Sequence, residues 1–423
     1  MSEETTLVIE RLGAQGDGIA RLDGADVFVP FALPGETVRA RVAAGRGQLI
    51  EVLAPGSPDR LAPVCRHFET CGGCAVQHLA PAPYAAWKRS MVIAAFAARG
   101  LTVDVAVPLA VGAGARRRVV LSAKRAHGAG LVLGFHAASS PDIVELAECP
   151  VCDPSIVAAL PGLRDLAAGL QQGKDGLRMT VVAARNGLDV DIAGVAGALN
   201  PSARLKLAEK STALGLVRLS LDGDTMFASG VPVIRMGTAE VAPPPAIFMQ
   251  ASAAAEDLMA QAVVAALPKK AKRAVDLFCG MGAFTFGLAA KVVVEAFDSD
   301  TAALAALDQA ARHAQGLKAI TARRRDLFAE PLSRRELDGA DLVVFDPPRA
   351  GAREQALMLA KAQVPVVVAV SCSPATLARD ARILVDGGYQ IATVQPIDQF
   401  VFAPHVEVVA VFTKAPAPRR RPT

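Results

Sequence analysis

The sequence predicts an α/β protein in three parts: a small, OB-like N-terminal β-barrel, a central α+β domain, and a C-terminal, Rossmann-like parallel sheet flanked by helices. Three observations predict it. Short β-rich runs alternate with turn signals over residues 5–53, prolines break the chain at 55–63 and again at Pro243-Pro244-Pro245, and after Phe248 strand-like and helical patterns alternate regularly. The size agrees, since 423 residues, 52% hydrophobic but only 4% aromatic, exceed one ordinary core. The expected boundaries are 1–56 for the barrel, 57–245 for the central domain, 246–415 for the parallel sheet and 416–423 for a basic, disordered tail.

In the first part, Leu7-Val8-Ile9, Val27-Phe28-Val29 and residues 38–42 read as strands separated by turns at 13–18 and Pro34-Gly35. Arg11, Arg21, Arg39, Arg41 and Arg46 decorate them. Barrels of this size bind oligonucleotides through one sheet face, or only space domains apart, and this segment alone leaves both readings open. The central part mixes helical stretches such as 84–99 with strand-like ones at 119–122 and 179–182. In the last part Leu258, Met259, Ala262, Val263, Ala266 and Leu267 recur at helical spacing. Strands are expected at 274–278, 291–297, 342–345, 364–370 and 406–412, with a helix at 302–313. Such a sheet binds ligands at the carboxyl ends of its strands.

Composition narrows the function. No apolar stretch approaches the roughly 18 residues of a membrane span, and Met1-Ser2-Glu3-Glu4 is acidic where a signal peptide is basic, so a cytoplasmic chain without membrane association is expected. Seven cysteines in such a chain favour metal binding or catalysis over a disulfide framework. The net charge of +4 is modest. Positive residues cluster, however: Arg116-Arg117-Arg118 with Lys124-Arg125, Lys269-Lys270 with Lys272-Arg273, Arg323-Arg324-Arg325, and the tail. Together these runs suit a phosphate backbone, whereas each alone reads as a solvated face.

Four strand ends carry chemistry. Gly280 and Gly282 follow the first strand and precede a helical run, which suits a ligand approaching the backbone at a helix N-terminus. Thr285 stands where a dinucleotide fingerprint has its third glycine, so a nicotinamide cofactor is disfavoured. Asp298 ends the next strand, where a carboxylate accepts hydrogen bonds from both ribose hydroxyls, and Asp300 competes for that assignment. Asp346-Pro347-Pro348-Arg349 is a rigid turn; enzymes that methylate exocyclic amines carry an aromatic residue where Arg349 stands. Cys372, in Ser371-Cys372-Ser373-Pro374-Ala375-Thr376, precedes a helix start, and a helix N-terminus is expected to lower its thiol pKa. Elsewhere Cys65, Cys71 and Cys74 gather three soft ligands around Gly72-Gly73, and Cys149 or Cys152 supplies a fourth. Spacing alone does not choose zinc from an iron-sulfur cluster. Cys279, in the glycine loop, is expected only to pack.

These stretches, with His405-Val406-Glu407, resemble the ordered motifs of the S-adenosylmethionine-dependent RNA uracil-5 methyltransferases over nearly the whole chain. Residues 5–54, with Gly16-Asp17-Gly18 and Pro34-Gly35-Glu36, resemble the TRAM barrel of those enzymes. The resemblance implies a class I methyltransferase sheet, with Cys372 as the nucleophile that adds to carbon 6 of uracil and Glu407 as the base that removes the carbon 5 proton. A base of that kind works best with a raised pKa, which Val406, Val408 and Val409 are placed to provide. It also implies cofactor contacts from Gln250, Phe278, Gly280, Gly282, Asp298, Asp326 and Asp346. One departure is Ala283, where the family often has Asn. Ribosomal members of the family hold a [4Fe-4S] cluster in this cysteine pattern, which makes Cys65, Cys71, Cys74 and Cys149 its ligands, Cys152 a spare, and a flipped uracil in single-stranded or loop 23S rRNA the substrate. No obligate protein partner is implied. The alternatives are a transfer RNA substrate, amine methylation of a base, and a non-catalytic, redox-sensing RNA-binding protein.

Overall fold

A computed structural model of the chain describes residues 3–125 and 130–414; the tail expected at 416–423 lies outside the described residues. The barrel consists of β1 (Glu3–Leu12), β2 (Gly18–Leu22), β3 (Ala25–Val29), β4 (Thr37–Ala43) and β5 (Arg46–Leu53), closed in the order β1-β2-β3-β5-β4. Alternate residues such as Val27 and Val29, or Val38 and Ala40, fill its interior, as the two-residue period of a strand requires. Outside, each of the five arginines meets a carboxylate: Arg11 and Arg21 share Asp26, Arg39 meets Glu51, Arg41 meets Glu4 and Arg46 meets Asp17. Buried Glu36 joins barrel to linker, accepting from Leu33 N at 2.7 Å and from Arg60 Nη2 at 2.7 Å.

The middle of the chain contains α1 (Pro81–Ala97), β6 (Leu109–Ala110), β7 (Arg118–Arg125), β8 (Leu131–His136), β9 (Ile143–Glu145), α2 (Pro154–Ala168), β10 (Leu177–Ala184), β11 (Gly187–Ala193), α3 (Pro201–Ala213), β12 (Leu216–Leu221) and β13 (Asp224–Ala228). Seven of these strands form one sheet, β13-β12-β11-β10-β7-β8-β9, with Leu160, Leu163 and Leu166 of α2 in its core. A ribbon of β14 (Ile234–Met236) and β15 (Ala239–Val241) follows.

The last part runs α4 (Ala253–Ala265), β16 (Arg273–Leu277), α5 (Thr285–Ala289), β17 (Val293–Asp298), α6 (Thr301–His313), β18 (Ile320–Arg324), α7 (Arg334–Leu337), β19 (Leu342–Phe345), α8 (Arg353–Lys361), β20 (Val366–Ser371), α9 (Pro374–Asp386), β21 (Gln390–Asp398) and β22 (Glu407–Thr413). The sheet order is β18-β17-β16-β19-β20-β22-β21-β6. Strands β16 to β20 are parallel, whereas β22 enters antiparallel beside β20 with Ser371 opposite Val408. That reversal brings the start of β22 to the edge where β16, β17, β19 and β20 end.

One core crosses the boundary expected between 57–245 and 246–415. Helix α1 buries Val92 and Phe96 in one core with Val275, Val367 and Leu384 of the C-terminal part, and Leu109 of β6 pairs with Ile397 of β21. The ribbon likewise packs Met236 and Val241 against Met281, Phe286 and Leu307. Proline runs mark where the chain bends, while apolar faces decide which segments share a core. Segment 81–111 and the ribbon therefore belong with the C-terminal sheet.

Candidate active site

Beyond β16 the chain turns through Phe278 (φ 61°), Gly280 (φ 52°) and Gly282 (φ 102°). A Cβ on Gly280 would enter open space, whereas one on Gly282 would meet Phe286 Cε2 at 2.7 Å, so the first glycine leaves room for a ligand and the second permits packing. Thr285, at the place of the missing third glycine, donates its hydroxyl to buried Asp276 at 2.6 Å. Burial pushes the Asp276 carboxyl up to about 7. Asp298 fixes the loop from the next strand: Oδ2 accepts from Gly280 N at 2.8 Å and Oδ1 from Asp300 N at 2.9 Å. Asp300 itself caps α6, accepting from Ala302 N and Ala303 N. Asp326 Oδ1 accepts from Phe328 N at 3.0 Å, and the Phe278 and Phe328 rings lie 5.4 Å apart.

Gln250, Phe278, Gly280, Asp298, Asp326, Asp346, Cys372 and Glu407 all line one cavity of about 530 Å³. Ala283 also lines it, and Gly282 does not. A chain of amides and carboxyls crosses the floor: Gln250 Nε2 donates to Asp346 Oδ2 at 3.0 Å, and Gln399 Nε2 donates to Gln250 Oε1 at 2.8 Å and to Glu407 Oε1 at 2.9 Å. Burial raises the Glu407 carboxyl well above the usual carboxylate range and Asp346 adds to the shift; burial raises Asp346 in the same direction. Val406, Val408 and Val409 are all buried, Val406 and Val408 in the core on one face of β22 and Val409 in that on the other.

Cys372 departs from expectation. It lies one residue ahead of Ser373, the N-cap of α9, yet burial pushes its thiol up, with Glu407 and Asp346 adding to the shift and Arg349 opposing it. Desolvation and two facing carboxyls outweigh the helix terminus. Arg349 Nη2 stands 3.1 Å from His405 Nε2 at the same rim.

A second cavity, of about 340 Å³, is lined by Cys65, Cys71, Cys74, Cys149 and Cys152. Gly72 lets the first loop lie against β8, donating N–H to His136 O at 2.9 Å. The Cys152 thiol donates to Cys149 at 3.2 Å, and that bond holds the Cys149 thiol below the usual thiol range. Burial instead pushes Cys74 up to about 12. Among the described residues no three His, Cys, Asp or Glu side chains converge closely enough to hold a single metal ion. Cys279, by contrast, packs in the core beside Met281 and Phe286.

Two of the arginines at 116–118 are committed inside the fold, while Arg116 lines both cavities. Arg117 is buried and donates to Gln250 O and to Glu256 Oε2, and Arg118 donates to Ala246 O and Ile247 O. They tie the Gln250 segment to β7. Lys269, Lys270 and Lys272 precede β16, at the amino ends of the strands, opposite the cavity. Arg323 and Arg324 remain exposed at the end of β18, while Arg325 pairs with Glu336. Sequence reasoning missed Gln399, a single loop amide without periodicity or motif; its place eight residues ahead of Glu407, on the strand connection that enters the site, was the available signal.

Residues 244–415 match the tRNA (Uracil-5-)-methyltransferase family and residues 3–49 the TRAM domain. The chain is 46% identical over 413 residues to an uncharacterized RNA methyltransferase of Brucella suis, covering 98% of this chain and 99% of that one. It is 32% identical over 450 residues to the 23S rRNA (uracil(1939)-C(5))-methyltransferase RlmD of Chromohalobacter salexigens, covering 99% and 90%. The crystal structure of Pyrococcus abyssi tRNA (uracil-54, C5)-methyltransferase with S-adenosyl-L-homocysteine shares its fold, with a TM-score of 0.75, 24% identity, and coverage of 98% and 100%. No helix among the described residues is long and apolar enough to cross a membrane. By sequence along its whole length, the chain belongs to the TRAM-containing RNA uracil-5 methyltransferase family and is an S-adenosylmethionine-dependent RNA methyltransferase.

Proposed function

We propose that the chain methylates carbon 5 of one uridine in a loop or single-stranded segment of 23S rRNA, in the cytoplasm, through a covalent bond between Cys372 and carbon 6. The observation that carries this reading is that Cys372 and Glu407 line the same cavity as the glycine loop and Asp298. When bound, S-adenosylmethionine supplies an electrophilic methyl group. The open space at Gly280 and the Phe278–Phe328 wall suit its adenosine, with Gln250, Asp298, Asp326 and Asp346 as its polar contacts. Carbon 5 of uracil is a weak nucleophile; addition of the Cys372 thiolate to carbon 6 makes it an enolate carbon able to take the methyl. Glu407 then removes the carbon 5 proton, and Cys372 leaves as the double bond re-forms. The ribosomal substrate rests on the likeness to RlmD.

The same reading gives Cys65, Cys71, Cys74 and Cys149 a [4Fe-4S] cluster. Five thiols lining one cavity are the soft donors that such a cluster takes. Three measurements test the proposal. Labelled methyl transfer to unmodified 23S rRNA, with transfer RNA as comparison, tests the substrate: methylation of transfer RNA alone refutes the ribosomal reading. RNA carrying 5-fluorouridine tests the chemistry, because fluorine does not leave as a proton and a covalent complex through Cys372 accumulates; its absence refutes the covalent route. Iron and acid-labile sulfide in the anaerobically prepared protein, lost in Cys74→Ser, test the cluster.

A further inference from the structure

Glu407 is held by one oxygen. Gln399, buried in the turn that follows β21, gives one Nε2 hydrogen to Glu407 Oε1 and the other to Gln250 Oε1. In the orientation present the amide nitrogen faces two oxygens, the arrangement that suits an ionised Glu407. Two buried oxygens are left without hydrogen-bond partners: Oε1 of Gln399 and Oε2 of Glu407. The backbone under Gln399 is fixed as well. The preceding residue, Asp398, accepts from fully buried Lys88 at 2.8 Å and from the Tyr84 hydroxyl, and Lys88 also donates to Phe400 O at 3.2 Å.

We propose that Gln399 is a positioning residue that ties Oε1 of Glu407, so that the free Oε2 is the oxygen that takes the proton from carbon 5 of the methylated base. The inference rests on the covalent reading above. In this step the C5–H bond breaks and its proton goes to Oε2. The bonding pair becomes the C5–C6 double bond, and the C6–S pair returns to Cys372 as thiolate. Without the amide, the Glu407 carboxyl turns freely about its last torsion and presents neither oxygen consistently. Because proton removal follows methyl transfer, the loss falls on release of the enzyme from the RNA and not on formation of the covalent complex.

Gln399→Met keeps the length and packing of the side chain and removes the amide. With RNA tritiated at carbon 5 of the target uridine, the variant is expected to release tritium about 10- to 100-fold more slowly, the cost of a misplaced reacting group. A methylated covalent complex should accumulate on ordinary uridine RNA, while the complex with 5-fluorouridine RNA should form at the wild-type rate, which also shows that the variant is folded. Tritium release at the wild-type rate overturns the proposal, and so does equal slowing of release and of 5-fluorouridine complex formation. Cys372→Ala separates the two readings. If it still releases tritium, the covalent reading has failed; if it is inert and Gln399→Met behaves as wild type, only the role of Gln399 has failed.

Discussion

The two cavities of this chain are built on opposite principles. At the strand-end cavity, the site residues sit on or just past six different strands of one sheet, and β22, running against its neighbours, delivers Glu407 to the edge where β20 delivers Cys372. The cysteine cavity has no such frame; its thiols come from loops at 65–74 and 149–152, which meet because the first lies on β8 and the second leads into α2. A sheet edge places groups by its own regularity, whereas a loop-built site needs other contacts to hold it. One connection serves both: Phe402 O accepts from Ala75 N and Val76 N of the cysteine loop, in the same segment that carries Gln399 to Glu407.

Substitutions sharpen this contrast, the strand-end groups acting on chemistry and the tethers on stability. Cys372→Ala should cost the largest factor, on the order of 10⁴-fold or more in methyl transfer, with binding of S-adenosylhomocysteine kept; calorimetric titration beside a turnover assay checks both halves. Glu407→Gln should slow turnover by about 10²- to 10⁴-fold and trap the methylated covalent complex on ordinary RNA, visible as a shifted band in denaturing gels. Lys88→Met breaks a fully buried pair with Asp398 and should cost about 3–5 kcal/mol in denaturant unfolding, because it strands a buried carboxylate. An unchanged unfolding midpoint would show that the Lys88–Asp398 pair is no tether.

The dependence on pH is smaller and has a definite sign. The Cys372 thiol is raised and reacts as thiolate, so it must lose a proton that it holds more tightly than usual; Glu407, raised too, acts as carboxylate only in the later release step. Complex formation with 5-fluorouridine RNA should therefore rise through neutral into alkaline pH, by at most about tenfold per unit for one ionisation. Arg349→Met, which removes the cation opposing the thiol shift, should move that rise to higher pH. A profile flat from pH 6 to 9, a range chosen to bracket the ordinary thiol pKa of about 8.5, would contradict it. Smallest of all, Arg39→Ala on the barrel breaks an exposed pair with Glu51 and should change stability by about 0–1 kcal/mol.

Much of the strand-end site was legible because its residues punctuate periodic segments. The strand expected at 342–345 is β19, Leu342–Phe345, and the helix expected at 302–313 is α6, Thr301–His313. Less was legible where pairing, not pattern, makes the element. Strand β18 and strand β21 were not foreseen; Ile320–Arg324 is mostly polar at the sheet edge, and Gln390–Asp398 carries Pro396. Arg116-Arg117-Arg118 reads as surface charge until Glu256 and the carbonyls at 246–250 are brought against it by the fold. Gln399 was invisible for a related reason: one amide between two others is meaningful only in three dimensions.

Helix α1 and strand β6 have a consequence for modularity. A fragment starting after the proline run at 243–245 would lack Val92, Phe96, Leu101 and Val105, leave the core they fill open to water, and expose the edge of β21. The catalytic half is thus not a cassette that can be lifted out and grafted elsewhere. Exchanging parts between relatives requires carrying residues 81–111 along with the sheet, so that engineering by domain shuffling has its practical cut sites on either side of that segment rather than at the proline run.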